Sequence, residues 1–118
     1  MVKNVQVSID YYQNFLKFNV LMKMPEQGKL IWALLQRDNV SIMLQQQESL
    51  LEEYPHLTNR ILGGSLSLFI KISDLENFDK EISSKVKVIK VPHVTPYGMK
   101  EFAIEDPDGY LLVFAEEK

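Results

Sequence analysis

The strongest constraint on this chain is an internal repeat. Sliding the sequence by 70 residues places Gly28 on Gly98, Ala33 on Ala103, Asp38 on Asp108 and Lys17 on Lys87. The identities are few, but the patterns around them agree. Residues 4–16 have the spacing of an amphipathic helix, with Asn4 able to cap it and Val5, Ile9, Tyr12 and Leu16 forming its apolar stripe. One repeat later Asp74 takes the cap position, and Leu75, Phe78, Ile82 and Val86 take the stripe. Each helix leads into a strand, at 18–24 and 86–94, then a glycine-marked turn, then a hairpin. A chain built twice on one pattern folds as two similar modules.

The second hairpin can be read in register. DPDG at 106–109 places Pro107 where a type I turn wants its fixed φ and Gly109 where positive φ is needed. A three-residue loop of this kind sets Glu101 opposite Ala115, Phe102 opposite Phe114, Ala103 opposite Val113 and Ile104 opposite Leu112. One face, with Phe102, Ile104, Leu112 and Phe114, then packs under the helix. The other carries Glu101, Ala103, Leu111, Val113 and Ala115. The 70-residue shift predicts Trp32, Leu34, Ile42 and Leu44 on the packing face of the first module. It predicts Ile31, Ala33, Met43 and Gln45 on the opposite face.

Residues 66–73 alternate as a strand with two unlike faces, Ser67, Phe69 and Lys71 on one and Leu68, Ile70 and Ile72 on the other. The equivalent strand of the first module would end at Lys3, so it is nearly all missing. Either Met1 lies inside a longer reading frame, or a partner covers the gap. Between the modules a short helix is expected, with Ser49 and Glu52 in capping-box spacing, followed by a linker marked by Pro55 and Gly63–Gly64. The fold class expected is α+β. It comprises two pseudo-symmetric βαβββ modules with cupped mixed sheets, helices on the outer faces, and the first strand of module 1 truncated. One domain spans 1–118, with module 1 at about 1–48, the linker at about 49–64 and module 2 at about 65–118.

Composition narrows the function. A chain of 118 residues without cysteine has no disulfide framework, zinc finger or cysteine nucleophile. No apolar run reaches the roughly 18–20 residues of a membrane span, and the N-terminus does not resemble a signal peptide, so a cytoplasmic, non-membrane protein is expected. With 13 Lys+Arg against 16 Asp+Glu the net charge is −3, which disfavours nucleic acid and slightly favours a cationic ligand. No P-loop, dinucleotide fingerprint or nucleophile elbow is present.

The duplicated module, the helix end YYQNFLKF and the tail YGMKEFAIEDPDGYLLVFAEE resemble the vicinal oxygen chelate superfamily, from about Asn4 to Glu117. Its members include glyoxalase I, extradiol dioxygenases and the bleomycin resistance proteins, and the tail looks most like the last group. The resemblance implies paired βαβββ modules, a cleft in each cupped sheet and a homodimer. Its enzymes hold a divalent metal at four recurrent strand positions, for Lewis-acid chemistry on two adjacent substrate oxygens. Three of those positions fall here on Val113, Met43 and Ser67, and the fourth would precede Met1. Valine cannot ligate, methionine is soft and serine alone is a poor ligand, so no metal, no cofactor and no catalytic residue is expected.

The cleft positions expected to meet a ligand are Ile31, Ala33, Met43, Ser67, Phe69, Lys71, Tyr97, Glu101, Leu111 and Val113. Glu101 is a base or the counter-charge of a cation, or simply a strand-edge carboxylate in water, and Lys71 could pair with it. Phe69 and Tyr97 offer aromatic walls, while Trp32 falls by alternation in the core. His56 and His93, away from the mapped positions, read as surface residues, with a compensating site of His93 and a carboxylate as the alternative. The function expected is metal-free binding of a small, cationic, partly planar molecule in a dimer cleft, as in drug sequestration. The alternatives are a metal-dependent lyase or dioxygenase with a rearranged site, and a ligand-free structural or regulatory dimer.

Overall fold

A computed structural model describes residues 1–116; Glu117 and Lys118, at the end of the resembling stretch and of module 2, lie outside the described residues. The chain divides into two compact units, Met1–Leu62 and Gly63–Lys118. The first holds α1 (Val5–Asn14), β1 (Asn19–Met24), β2 (Trp32–Arg37), β3 (Val40–Gln45) and α2 (Gln47–Glu53), then a 3-10 turn at Pro55–Leu57. The second holds β4 (Ser67–Ile72), α3 (Leu75–Ile82), β5 (Lys87–Val94), β6 (Lys100–Glu105) and β7 (Leu111–Glu116).

Each unit is the same construction. In the second, a four-stranded mixed sheet runs β4-β7-β6-β5, with β4 parallel to β7 and the other pairs antiparallel. In the first, the sheet runs β1-β2-β3, and the missing strand survives as one parallel bridge from Val2 to Gln46. Val2 N–H donates to the Gln45 carbonyl at 2.9 Å and its carbonyl accepts from Gln47 N–H at 2.8 Å. That bridge lies 70 residues before the Ile72–Glu116 pair that ends β4. The truncated strand is thus present as its last rung.

The helices follow the repeat closely. Asn4 accepts from Val7 N–H and Asp74 from Asn77 N–H, each at 3.1 Å, satisfying one orphan donor at equivalent helix starts. The first helix closes earlier than its 4–16 pattern, at Asn14, yet Leu16 remains buried with Val5, Ile9 and Tyr12. α1 packs on β1, β2 and β3, and α3 on β5, β6 and β7. α2 is capped by Gln46, whose side chain accepts from Ser49 N–H at 3.1 Å; the expected Ser49 cap is therefore displaced by three residues.

The second hairpin has the expected register, including Asp106 N–H to the Tyr110 carbonyl at 3.0 Å. Asp106 is buried and its carboxylate accepts from Asp108 N–H (2.9 Å) and Tyr110 N–H (3.0 Å), while Gly109 takes φ 87°. The aspartate thus ties the loop to itself, the Asx-turn role that favours this residue there.

The first hairpin departs from expectation. Arg37 pairs with Val40, so the turn is only Asp38-Asn39, one residue shorter than Pro107-Asp108-Gly109. Asp38 adopts φ 53° to close it. The equivalence is therefore 69 residues across β2 and 70 across β3, and one residue of slip turns every side chain of a strand to the other face. Ala33 and Leu35, opposite Leu44 and Ile42, occupy the packing side, with Ala33, Leu35 and Leu44 buried. Trp32 and Leu34, opposite Gln45 and Met43, take the open side. Ala33 is therefore not a cleft residue, and Trp32 is not a core residue.

Candidate functional site

The open face of the second sheet is set by strand alternation. Ser67 lies beside Leu111, and Phe69 beside Val113, which in turn lies beside Ala103. Lys71 lies beside Ala115, Ala115 beside Glu101, and Glu101 beside His93. Ser67, Phe69 and Lys71 are exposed, Leu111 and Val113 half-buried, and Ala103 and Ala115 buried. All the cleft positions expected from this half of the sequence therefore share one face, apart from Tyr97, which reaches it from a loop.

Glu101 lies on that face and is only 6% exposed. The loop from β5 to β6 is pinned by Thr95, whose N–H donates to the Met99 carbonyl at 2.8 Å and whose hydroxyl accepts from Met99 N–H at 3.1 Å. Gly98, at φ 83°, lets the chain reverse there. The reversal brings the Tyr97 hydroxyl to Glu101 Oε2, to which it donates a hydrogen bond. Tyr97 itself stays 64% exposed, so its ring faces solvent while its hydroxyl holds the carboxylate.

The hydrogen bond to Glu101 raises the Tyr97 phenol above its ordinary value near 10, helped by desolvation and by repulsion from the same carboxylate, against a lowering contribution from Thr95. A raised native value means that the neutral, donating phenol favours the folded state at all pH below about 10, and that this contribution fades as pH rises through the native value. Phenolate absorbance, taken as the difference between the wild type and Tyr97→Phe, is expected to titrate above pH 10. In Glu101→Gln it should move back toward the ordinary value. A Tyr97 that ionises below 10 in the wild type would contradict the hydrogen bond.

His93 was not among the expected cleft residues. Two bulges in β5, between Val88 and Lys90 and between Lys90 and His93, shift its register and set His93 directly opposite Glu101. Bulges leave no clear trace in an alternation pattern, although the VPH sequence, with a proline inside a strand, was a usable signal.

In the first unit Ile31, just before β2, and Met43 are exposed, while Ala33 is buried. The register places Met22 beside Leu34 and Met24 beside Trp32. Met22, Met24, Ile31 and Trp32 line an open apolar depression of about 610 Å³. The alternation of Met22 and Met24 around Lys23 could have revealed it.

The metal positions can be tested on donor chemistry. Ser67 and Val113 sit on adjacent strands of one open face, and Met43 on the open face of the other sheet. A hydroxyl, an isopropyl group and a thioether do not make a hard-cation site. Among the described residues, no cluster of three or more His, Cys, Asp or Glu side chains could hold an ion. Nor is any helix of the described residues long and apolar enough to cross a membrane.

Comparison with known proteins places these features in a wider set. The family model described as "Glyoxalase/Bleomycin resistance protein/Dioxygenase superfamily" matches residues 1–114. None of the curated proteins matches the sequence. Among solved structures, a protein of unknown function from Agrobacterium tumefaciens str. C58 is 18% identical with a TM-score of 0.82, covering 100% of this chain and 89% of that one. TioX from Micromonospora sp. ML1 is 15% identical with a TM-score of 0.78, covering 99% and 93%. TnmS3, an antibiotic binding protein from Streptomyces sp. CB03234, is 18% identical with a TM-score of 0.74, covering 99% and 89%. At these identities the likeness is one of fold.

Proposed function

The chain belongs to the glyoxalase/bleomycin resistance protein/dioxygenase superfamily, and on that premise we propose that it binds a small cationic aromatic molecule without metal chemistry. The observation that carries this reading is Glu101, a carboxylate 6% exposed on the open face, beside the buried Ala115 and held by the Tyr97 hydroxyl. A carboxylate in such surroundings gains more from a cationic partner than one in bulk water, because the local dielectric is lower. Phe69, 52% exposed on the same face, supplies a surface for an aromatic body. The residues at the three family metal positions, Ser67, Met43 and Val113, support binding over Lewis-acid catalysis. The fold shared with TnmS3, which is described as an antibiotic binding protein, agrees with sequestration by stoichiometric binding, with no bond made or broken.

The test is a thermal-shift titration of chelator-treated protein, one series with the planar cationic dye proflavine and one with Zn²⁺, Ni²⁺, Mn²⁺ and Fe²⁺. Proflavine is expected to give a saturable upward shift, and calorimetry a several-fold weaker affinity for Glu101→Gln. A ligand at 100 times its dissociation constant adds about 2.7 kcal/mol, on the order of 10 °C for a domain of this size. A shift of that size with a metal instead, or an affinity for proflavine indifferent to Glu101→Gln, overturns the proposal.

We further propose a homodimer. Among the described residues the outer edge of β3 meets only the Val2 bridge, whereas the equivalent edge of β7 is covered along its length by β4. Val40 and Met43 stand 53% and 68% exposed on β3. An open edge beside apolar side chains is a surface for a second copy. Light scattering at micromolar concentration is expected to return twice the chain mass; a monomeric mass overturns this part.

A further inference from the structure

Among the polar positions on the open face of the second sheet, Lys71, Glu101 and His93 lie in one transverse row, with Lys90 beside Ala103 in the next row and Ser67 and the Lys87–Glu105 ion pair in the row beyond it. Reading across the strands, Lys71 on β4 pairs with Ala115 on β7, Ala115 with Glu101 on β6, and Glu101 with His93 on β5. The row holds a cation at one end and a carboxylate beside an imidazole at the other. Ala115, fully buried, lies between them in the sheet. Two strand spacings separate Lys71 from Glu101, about 9–10 Å along the sheet. Lys71 is exposed and, like Lys90 on the same face, forms no ion pair with a described residue, although Lys87 and Lys100 find Glu105 and Glu76.

The chemistry of each end is readable. At the acidic end Glu101 Oε2 already accepts from Tyr97, and the remaining lone pairs of the carboxylate are acceptors. His93 Nδ1 lies 2.8 Å from the Val91 carbonyl oxygen. A carbonyl only accepts, so Nδ1 carries the hydrogen, which leaves Nε2 as the ring nitrogen able to accept. A cation that donates N–H groups matches this end, and a quaternary ammonium, which has none to give, does not. At the other end Lys71 offers three donors and a positive charge, which match a carboxylate.

We propose that this row reads a zwitterion: a ligand with an N–H-bearing ammonium at one end, a carboxylate at the other, and a flat apolar body spanning the distance between Glu101 and Lys71. The ammonium meets Glu101 and His93, the carboxylate meets Lys71, and Phe69, one row away beside Val113, flanks the body. This inference rests on the proposed cation site at Glu101 and adds the opposite charge that the site requires of its ligand.

Three probes of one shape separate the possibilities: 6-(aminomethyl)-2-naphthoate, 2-naphthylmethylammonium and 2-naphthoate, titrated by fluorescence into wild type, Lys71→Gln and Glu101→Gln. The zwitterion is expected to bind wild type about tenfold more tightly than the ammonium probe, and Lys71→Gln to erase that advantage. Glu101→Gln should weaken both amines several-fold. If zwitterion and ammonium bind wild type alike, or if Lys71→Gln leaves their ratio unchanged, the zwitterion inference falls and the cation reading stands. If neither amine binds, or if naphthoate binds best, both fall. Lys71→Gln alters an exposed side chain, so that comparison decides the matter even if Glu101→Gln does not fold.

Discussion

Replacing Ala33 with glutamate should unfold the first unit, whereas the same replacement at the next residue, Leu34, should leave it folded. Ala33 is 0% exposed and faces Leu44 across β2 and β3, on the side that α1 covers with Val5, Ile9 and Tyr12. A carboxylate there has neither water nor room. Burying an unpaired charge costs several kcal/mol even after protonation, and the extra side-chain volume adds strain. Set against a total stability on the order of 5–15 kcal/mol, that loss abolishes cooperative folding or leaves it marginal. Leu34 is half-buried on the open side beside Met22 and Met43, where a glutamate keeps contact with water and costs on the order of 1 kcal/mol. Circular-dichroism melting of the two variants reads the difference directly. If Leu34→Glu were the unfolding change and Ala33→Glu the harmless one, the register of the first hairpin would be the one that the 70-residue repeat predicts.

That pair of residues marks where the sequence stops being legible. The helix caps at Asn4 and Asp74, the DPDG loop and the partners from Glu101–Ala115 to Ile104–Leu112 are local, and each rests on a residue whose chemistry suits few other places. The faces of β2 rest instead on the length of a turn, which nothing in the alternation of KLIWALLQ reveals. Both faces there carry apolar residues, so hydrophobicity cannot say which one is inside. At the site, Glu101, Phe69 and Lys71 were legible because their strands alternate cleanly. His93 was not, because its position depends on two bulges, and the part of Trp32 in the depression beside Met22 and Met24 was hidden by the same one-residue slip that misplaced Ala33. Hydrogen-bonded loops could be read from the sequence, whereas irregularities of register needed the backbone.

Phe114→Ala is the matching expectation for the second unit. Phe114 is 1% exposed, stands opposite Phe102, itself 0% exposed, and packs against Phe78 with ring centroids 4.7 Å apart at an interplanar angle of 54°. Phe78 also meets Phe102 edge-on at 6.3 Å, so the three rings form one cluster between α3 and the hairpin. Truncating the Phe114 ring removes its transfer free energy and leaves a cavity that its rigid neighbours Phe78 and Phe102 fill poorly. The loss should be about 3–5 kcal/mol, a fall in melting temperature of roughly 10–20 °C. Phe69→Ala, on the opposite face of the same sheet, removes a ring that is 52% exposed and should change stability by about 1 kcal/mol or less. Urea denaturation of both variants compares the faces of one sheet by the same chemical change. A large loss at Phe114 with a small one at Phe69 means that the sheet has one face committed to the core and one at liberty to bind. Equal losses would mean that Phe69 is also packed away in solution, and the open face, with the ligand proposed for it, would have to be given up.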